Sequence, residues 1–229
     1  MVYASFPIAA LFLSSLLVQN VAAAAVPARD VAATYSEFDY SSLSCPSSRW
    51  STLTTPTYGD SGALFTVCSS INVAAPATAV RDVVLDFKSY HLWNSFVVSV
   101  SVSSDVTGTP QDLYVGTPMT FTTAGLVNGL NTTSDEILTV VDGIGTGVSG
   151  NPYFLVAWRY DDKLAGLSSR AEHPIVIIDL GDNSSRVLSY ETYYFGLLTP
   201  IIALLRTNLQ AQFDAQARDL KAYAEGLSG

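Results

Sequence analysis

Three side chains able to carry acid–base chemistry, Arg159, His173 and Glu191, are spaced so that neighbouring strands would set them side by side. If the hairpin around Gly181-Asp182-Asn183 is centred on Asp182, His173 and Glu191 lie directly opposite each other on one face. If the preceding connection is centred near Gly166, Arg159 faces His173 in the same way. The three then form a row on a face shared with Leu155, Ala157, Ile175, Ile177, Ser189 and Tyr193. A histidine beside a carboxylate in an apolar hollow keeps its pKa near neutrality and can act as a general base. The Arg159 guanidinium would polarise a carbonyl or enolate oxygen. The other reading is a satisfied ion-pair row that bridges the strands and does no chemistry. Both depend on register, because a slip of one residue sends a side chain to the opposite face.

The row needs a sheet to hold it. Ala63–Val73 reads as a strand rich in β-branched residues and bounded by Pro76. Residues 76–87 read as a helix, with Val80, Val83, Val84 and Phe87 on one face and Pro76 at its start. Tyr90 to Asn94 forms a short second helix or turn. Strand signals follow at Phe96–Ser103, Pro118–Thr123, Asp135–Val141, Pro152–Tyr160, His173–Leu180 and Arg186–Phe195, with Gly143–Gly150 read as a turn cluster. A long helix then begins at Thr199-Pro200, its apolar face formed by Ile202, Leu205, Leu209, Phe213, Leu220 and Ala224. No internal repeat and no second domain emerges.

Residues 1–24 read as a secretory signal: an uncharged apolar run followed by the small residues Ala22-Ala23-Ala24. Pro7, Ser14, Ser15, Gln19 and Asn20 interrupt the run, which argues against a membrane span. Residues 25–61 form a Ser/Thr/Pro-rich arm, and 62–229 the domain. Export to an oxidising compartment makes a Cys45–Cys68 disulfide the expectation, with two buried thiols as the alternative. The sequons at Asn131 and Asn183 would then be glycosylated if exposed. The net charge of −9, with 11 Lys and Arg against 20 Asp and Glu, argues against nucleic-acid partners and anionic membranes.

The order strand, two short helices, six strands and long helix comes with particular residues at its joints. Ile71-Asn72-Val73-Ala74-Ala75-Pro76 leads through a helix to Asp86, Tyr90 and Trp93-Asn94. Trp158-Arg159, Glu172-His173 and Tyr190-Glu191-Thr192-Tyr193-Tyr194-Phe195-Gly196 follow in turn. This succession resembles the START-like superfamily, also called SRPBCC, with its polyketide cyclase/dehydratase relatives, over about residues 62–226. The resemblance implies an α+β helix-grip fold: a curved antiparallel sheet of about seven strands wrapped around a long C-terminal helix. It also implies a cavity between them for an apolar or amphipathic molecule. Trp93, Phe96, Phe121, Leu155, Ala157, Ile175 and Tyr193 are the expected lining. The arm and the cysteine pair lie outside the resemblance.

Two motifs mislead. Gly59-Asp60-Ser61-Gly62 copies a serine-protease tetrapeptide, but only two histidines exist and the partner strands are missing. Gly145 to Gly150 matches G-x-G-x-x-G, yet a strand rather than a helix follows it. His91 and His173 are far apart and no cysteine pair has ligand spacing, so neither a metal nor another cofactor is expected. The expectation is a secreted binder or carrier of a hydrophobic small molecule such as a lipid, sterol or polyketide-like metabolite. The alternative is a cyclase/dehydratase-like enzyme without cofactor that uses the His/Glu/Arg row on a carbonyl substrate.

Overall fold

A computed structural model describes residues 38–127, 130–161, 167 and 169–228. The signal segment and residues 25–37 of the arm lie outside the described residues, as does the connection near Gly166.

Seven antiparallel strands form one sheet in the order β1-β7-β6-β5-β4-β3-β2. They are β1 (Ala63–Val73), β2 (Val97–Val102), β3 (Pro118–Val127), β4 (Leu130–Thr146), β5 (Pro152–Asp161), β6 (Arg170–Gly181) and β7 (Ser184–Tyr194). Helix α1 (Ala77–Leu85) and a 3-10 turn (Phe87–Leu92) carry the chain from β1 at one edge to β2 at the other. Pro76 starts α1 in extended geometry, and Val80, Val83 and Val84 bury its inner face. Behind the 3-10 turn, the Asn94 side-chain oxygen accepts from the backbone N–H groups of Phe96 (3.0 Å) and Val97 (2.8 Å), which fixes the entry into β2.

The long C-terminal helix begins in pieces. A short helix α2 (Thr199–Ile202) and a 3-10 turn (Ala203–Leu205) precede the continuous helix α3 (Arg206–Ser228). Leu209, Phe213, Ala217, Leu220 and Ala224 are buried at helical spacing against the concave side of the sheet. Polar residues of α3 also cover the free edge of β1. The Gln210 amide takes up both the N–H and the carbonyl of Cys68 (3.1 and 2.7 Å), Lys221 donates to the Asn72 carbonyl, and Glu225 accepts from the Ala74 N–H. An edge so occupied cannot recruit another strand there. Gly125 lets β3 come close to α3: its φ is +81°, and a Cβ there would run into the Gln212 side chain.

Gly143–Gly150 is not simply a turn. Strand β4 continues to Thr146, with register breaks between Leu138 and Val140 and between Val140 and Gly143. Breaks of this kind bend a strand, so a 17-residue β4 can follow the curvature of the sheet.

Both faces of the sheet are covered. On the concave side Val156, Trp158, Ile175, Ile177 and Val187 join the helices in one core. On the convex side Leu155, Ala157, Val176, Ile178, Leu188 and Tyr190 form a second core with Tyr40 and Leu53 of the arm. The apolar runs of β5 and β6 reflect this double burial, since a strand covered on both faces does not alternate with polar residues. The Cys45–Cys68 disulfide, with Cα atoms 5.5 Å apart, ties the arm to β1. Hydrogen bonds add to it: the Thr192 hydroxyl donates to the Leu53 carbonyl (2.8 Å) and the Tyr190 hydroxyl to the Thr54 carbonyl (2.7 Å). Among the described residues no helix is long and apolar enough to cross a membrane.

Candidate ligand-binding site

The β6–β7 register is centred on Asp182, as Glu172 pairs with Thr192 and Ile175 with Ser189. Asp182 and Asn183 form the tip with φ of 51° and 56°, the left-handed geometry of a tight two-residue hairpin. His173 and Glu191, between those pairs, therefore share the concave face. The β5–β6 register is one residue away from the expected one. Trp158 pairs with His173, and Arg159 pairs with Glu172 on the convex side. The slip arises in a connection too long for turn chemistry to fix, and it takes Arg159 out of the row. Leu155 and Ala157 go with it: they pack under the arm and line no cavity on the concave side.

Between the concave sheet and the helices lies a cavity of about 250 Å³. Phe96, Phe121, Trp158, Tyr193, Ile202, Leu205 and Leu209 make up much of its wall, and His173, Glu191, Glu136, Tyr160 and Ser169 supply polar atoms. Ile175 is buried in the same core away from the cavity, and Trp93 packs outside it against Tyr90 and Tyr223. At the C-terminal end of the sheet, Leu197, Leu198, Ile201 and Leu204 are exposed beside the lining residues Ile202 and Leu205.

His173 and Glu191 do not act as a couple. His173 pairs its Nε2 with the Ser189 hydroxyl at 2.8 Å, and its ring lies between Trp158 (4.5 Å) and Phe213 (4.7 Å). Burial without a carboxylate partner drives its pKa from 6.5 down to about 3, so the imidazole is neutral. The expected general base near neutrality is thus absent at His173. Glu191 is the titratable group that falls there. Burial raises its pKa to about 7, against the opposing effect of the Tyr193 hydroxyl, which donates to Glu191 Oε2 at 2.7 Å. The Tyr193 ring is stacked on Phe65 at 4.6 Å, which holds the hydroxyl in place.

Glu136, 7 % exposed, also reaches the cavity and accepts from the Ser134 hydroxyl at 2.7 Å. Its sequence signal is a carboxylate two residues before the buried Leu138, at the same parity in the strand. A second carboxylate, Glu172, is fully buried on the convex face. It accepts from the Thr57 N–H (2.8 Å), the Thr57 hydroxyl (2.7 Å) and the Thr139 hydroxyl (2.7 Å), and so clamps the arm. Arg159 and Arg170 flank it, their guanidinium carbons 5.9 and 5.0 Å from the Tyr58 ring.

The two cavity groups act on stability in opposite senses. Between about pH 6.5 and 3 the unfolded chain protonates His173 and the folded one does not, so stability falls as pH falls through that range. Between about pH 4.5 and 7 the folded chain retains the Glu191 proton that the unfolded chain releases, so stability falls as pH rises. His173→Gln should therefore flatten the acid limb of a Tm-against-pH curve between about pH 3 and 6.5. An acid limb unchanged in that variant would contradict the depressed pKa.

No family model and no curated protein matches the chain. Solved structures do. A hypothetical protein from Helicobacter pylori superposes with a TM-score of 0.54 at 16% identity, covering 80% of this chain and 98% of that one. The Zhui aromatase/cyclase from Streptomyces sp. R1128 gives 0.51 at 12% identity, covering 70% and 93%. A START superfamily protein from Mycobacterium smegmatis gives 0.44 at 14%, covering 71% and 98%. With the curved seven-stranded sheet and the long C-terminal helix, the first two of these likenesses establish the helix-grip fold.

Proposed function

We propose that this START-like chain is a secreted carrier of a small, largely apolar molecule held between the sheet and α3. The observation that carries the reading is the cavity, whose wall is largely aromatic and aliphatic and also carries polar groups, among them His173 and Glu191. Concave, mostly apolar pockets with a set of placed polar groups are the usual form of small-molecule sites. The exposed Leu197, Leu198, Ile201 and Leu204 give the adjoining surface the same character.

Export rests on the apolar leader of residues 1–24 and agrees with the Cys45–Cys68 disulfide, a bond that persists in oxidising compartments. Asn131 and Asn183 are both exposed and are the proposed glycosylation sites.

Native mass spectrometry of the secreted protein tests the carrier reading. Either a bound small molecule is found, or the emptied protein enhances the fluorescence of the neutral apolar probe N-phenyl-1-naphthylamine. Ala171→Phe, which fills the cavity from β6, should abolish the enhancement with the far-UV spectrum unchanged. Neither cargo nor probe binding would remove the reading.

Glu191 favours a second reading, an enzyme of the cyclase/dehydratase kind acting on a carbonyl compound. A carboxyl group with a pKa of about 7 can exchange a proton with a bound substrate at neutral pH. In that case Glu191→Gln loses turnover of a candidate substrate while binding persists. Unchanged turnover removes Glu191 from the chemistry.

A further inference from the structure

The carrier reading leaves open what kind of polar group its cargo brings, and the charges around the cavity bear on this. Glu191 on β7 has the Tyr193 hydroxyl as its hydrogen-bond donor, and Glu136 on β4 places a second carboxylate on the same wall. His173 on β6 is neutral, and Tyr160 on β5 and Ser169 are uncharged. On β1, Val67 pairs with Glu191 and brings no charge. On α3, Leu209 faces the cavity, while Arg206 donates to the carbonyls of Thr66 and Arg49 and lies over Phe65. Among the described lining residues there is no lysine or arginine. The rest of the wall includes the aromatic side chains of Phe121, Trp158 and Tyr193.

An ionised carboxylate in such a place is costly unless a cation joins it, and aromatic faces stabilise a cation further. An anionic cargo would meet the Glu191 carboxylate. A neutral alcohol would find a hydrogen bond but no compensation for charge.

We infer that the cargo is a small organic cation, a protonated amine on an apolar body, whose ammonium pairs with Glu191 while its body lies against Phe121, Trp158 and Tyr193. The inference rests on the carrier reading and extends it to the class of ligand. Amine binding draws on the ionised form of Glu191, so affinity rises with pH across neutrality as long as the amine itself stays protonated.

The test is isothermal titration calorimetry of the mature protein with n-hexylamine, 1-hexanol and hexanoate at pH 5.5 and 8.5. These ligands share one apolar body and differ in the charge of the head. At pH 8.5 hexylammonium should bind about tenfold or more tighter than hexanol, the gain expected of a charge-assisted pair over a neutral one. That advantage should shrink by about tenfold or more at pH 5.5, where Glu191 is protonated, with hexanol unchanged. Glu191→Gln should bind hexylammonium and hexanol alike. The wild-type pH dependence stands as the test if that variant does not fold. Equal binding of amine and alcohol at pH 8.5, tighter binding of hexanoate, or an amine preference retained in Glu191→Gln would overturn the inference and leave the carrier reading intact. If none of the three binds, the inference falls, and the N-phenyl-1-naphthylamine measurement decides the carrier reading.

Discussion

Phe213→Ala is expected to cost about 3–5 kcal/mol of stability, read as a large fall in the urea midpoint. Phe213 is 1 % exposed and is the largest of the α3 side chains packed against the sheet. Its ring lies 4.7 Å from that of His173 and 6.1 Å from that of Phe96. Truncation removes the apolar contact and leaves a void, and the void cannot close without moving a 23-residue helix. The gap would open beside the ligand cavity, because His173 and Phe96 line it. The variant should therefore admit larger apolar probes than the parent even as it loses stability. A loss under 1 kcal/mol would mean that α3 is held mainly by its polar contacts to the β1 edge.

Replacing both cysteines by serine is the second change with a large expected effect. The bond closes a loop of 23 residues, for which the loop-entropy relation gives about 3 kcal/mol. The loss should appear in the urea midpoint, and it should bring early proteolytic cleavage between residues 40 and 60. That segment covers Leu155, Ala157, Val176 and Leu188, so its release would expose apolar surface that the sheet cannot bury by itself. The Glu172 clamp on Thr57 and the bond from Tyr190 to Thr54 oppose release. An unchanged cleavage pattern in the double serine variant would mean that these hydrogen bonds hold the arm without the disulfide.

Much of the fold was legible because it is written in local periodicity and turn chemistry. Ala63–Val73, the helix after Pro76 and the apolar face of α3 fall where residue spacing puts them. The β6–β7 hairpin was legible because Asp182-Asn183 suits a two-residue turn, but that turn pairs Gly181 with Ser184, and it is the irregularity between Asp179 and Gly181 that brings the strands into the register centred on Asp182. The β5–β6 register was not, since the sequence between the two strands offers no two-residue turn signal of that kind. One residue of error moved Arg159 from the row to the convex face and put Trp158 in its place.

The candidate site divides in the same way. That His173 and Glu191 share a face followed from chain order and pairing. Which of them titrates near neutrality did not. A histidine next to a carboxylate and a histidine between two aromatic rings have the same sequence. Their pKa values differ by several units because desolvation depends on everything packed around the ring. Glu136 and Glu172 were equally hidden, one acidic residue turned into the cavity and the other beneath the arm. Residue spacing and turn signals set the elements and their order, both of which depend on neighbouring residues. Which face each β5 residue takes, how β6 and β7 pair beyond the irregularity at Asp179, what covers the convex side and which carboxyl group keeps its proton are settled in three dimensions. Those depend on packing between segments far apart in the chain, where one shifted register changes the surroundings of every side chain on the strand.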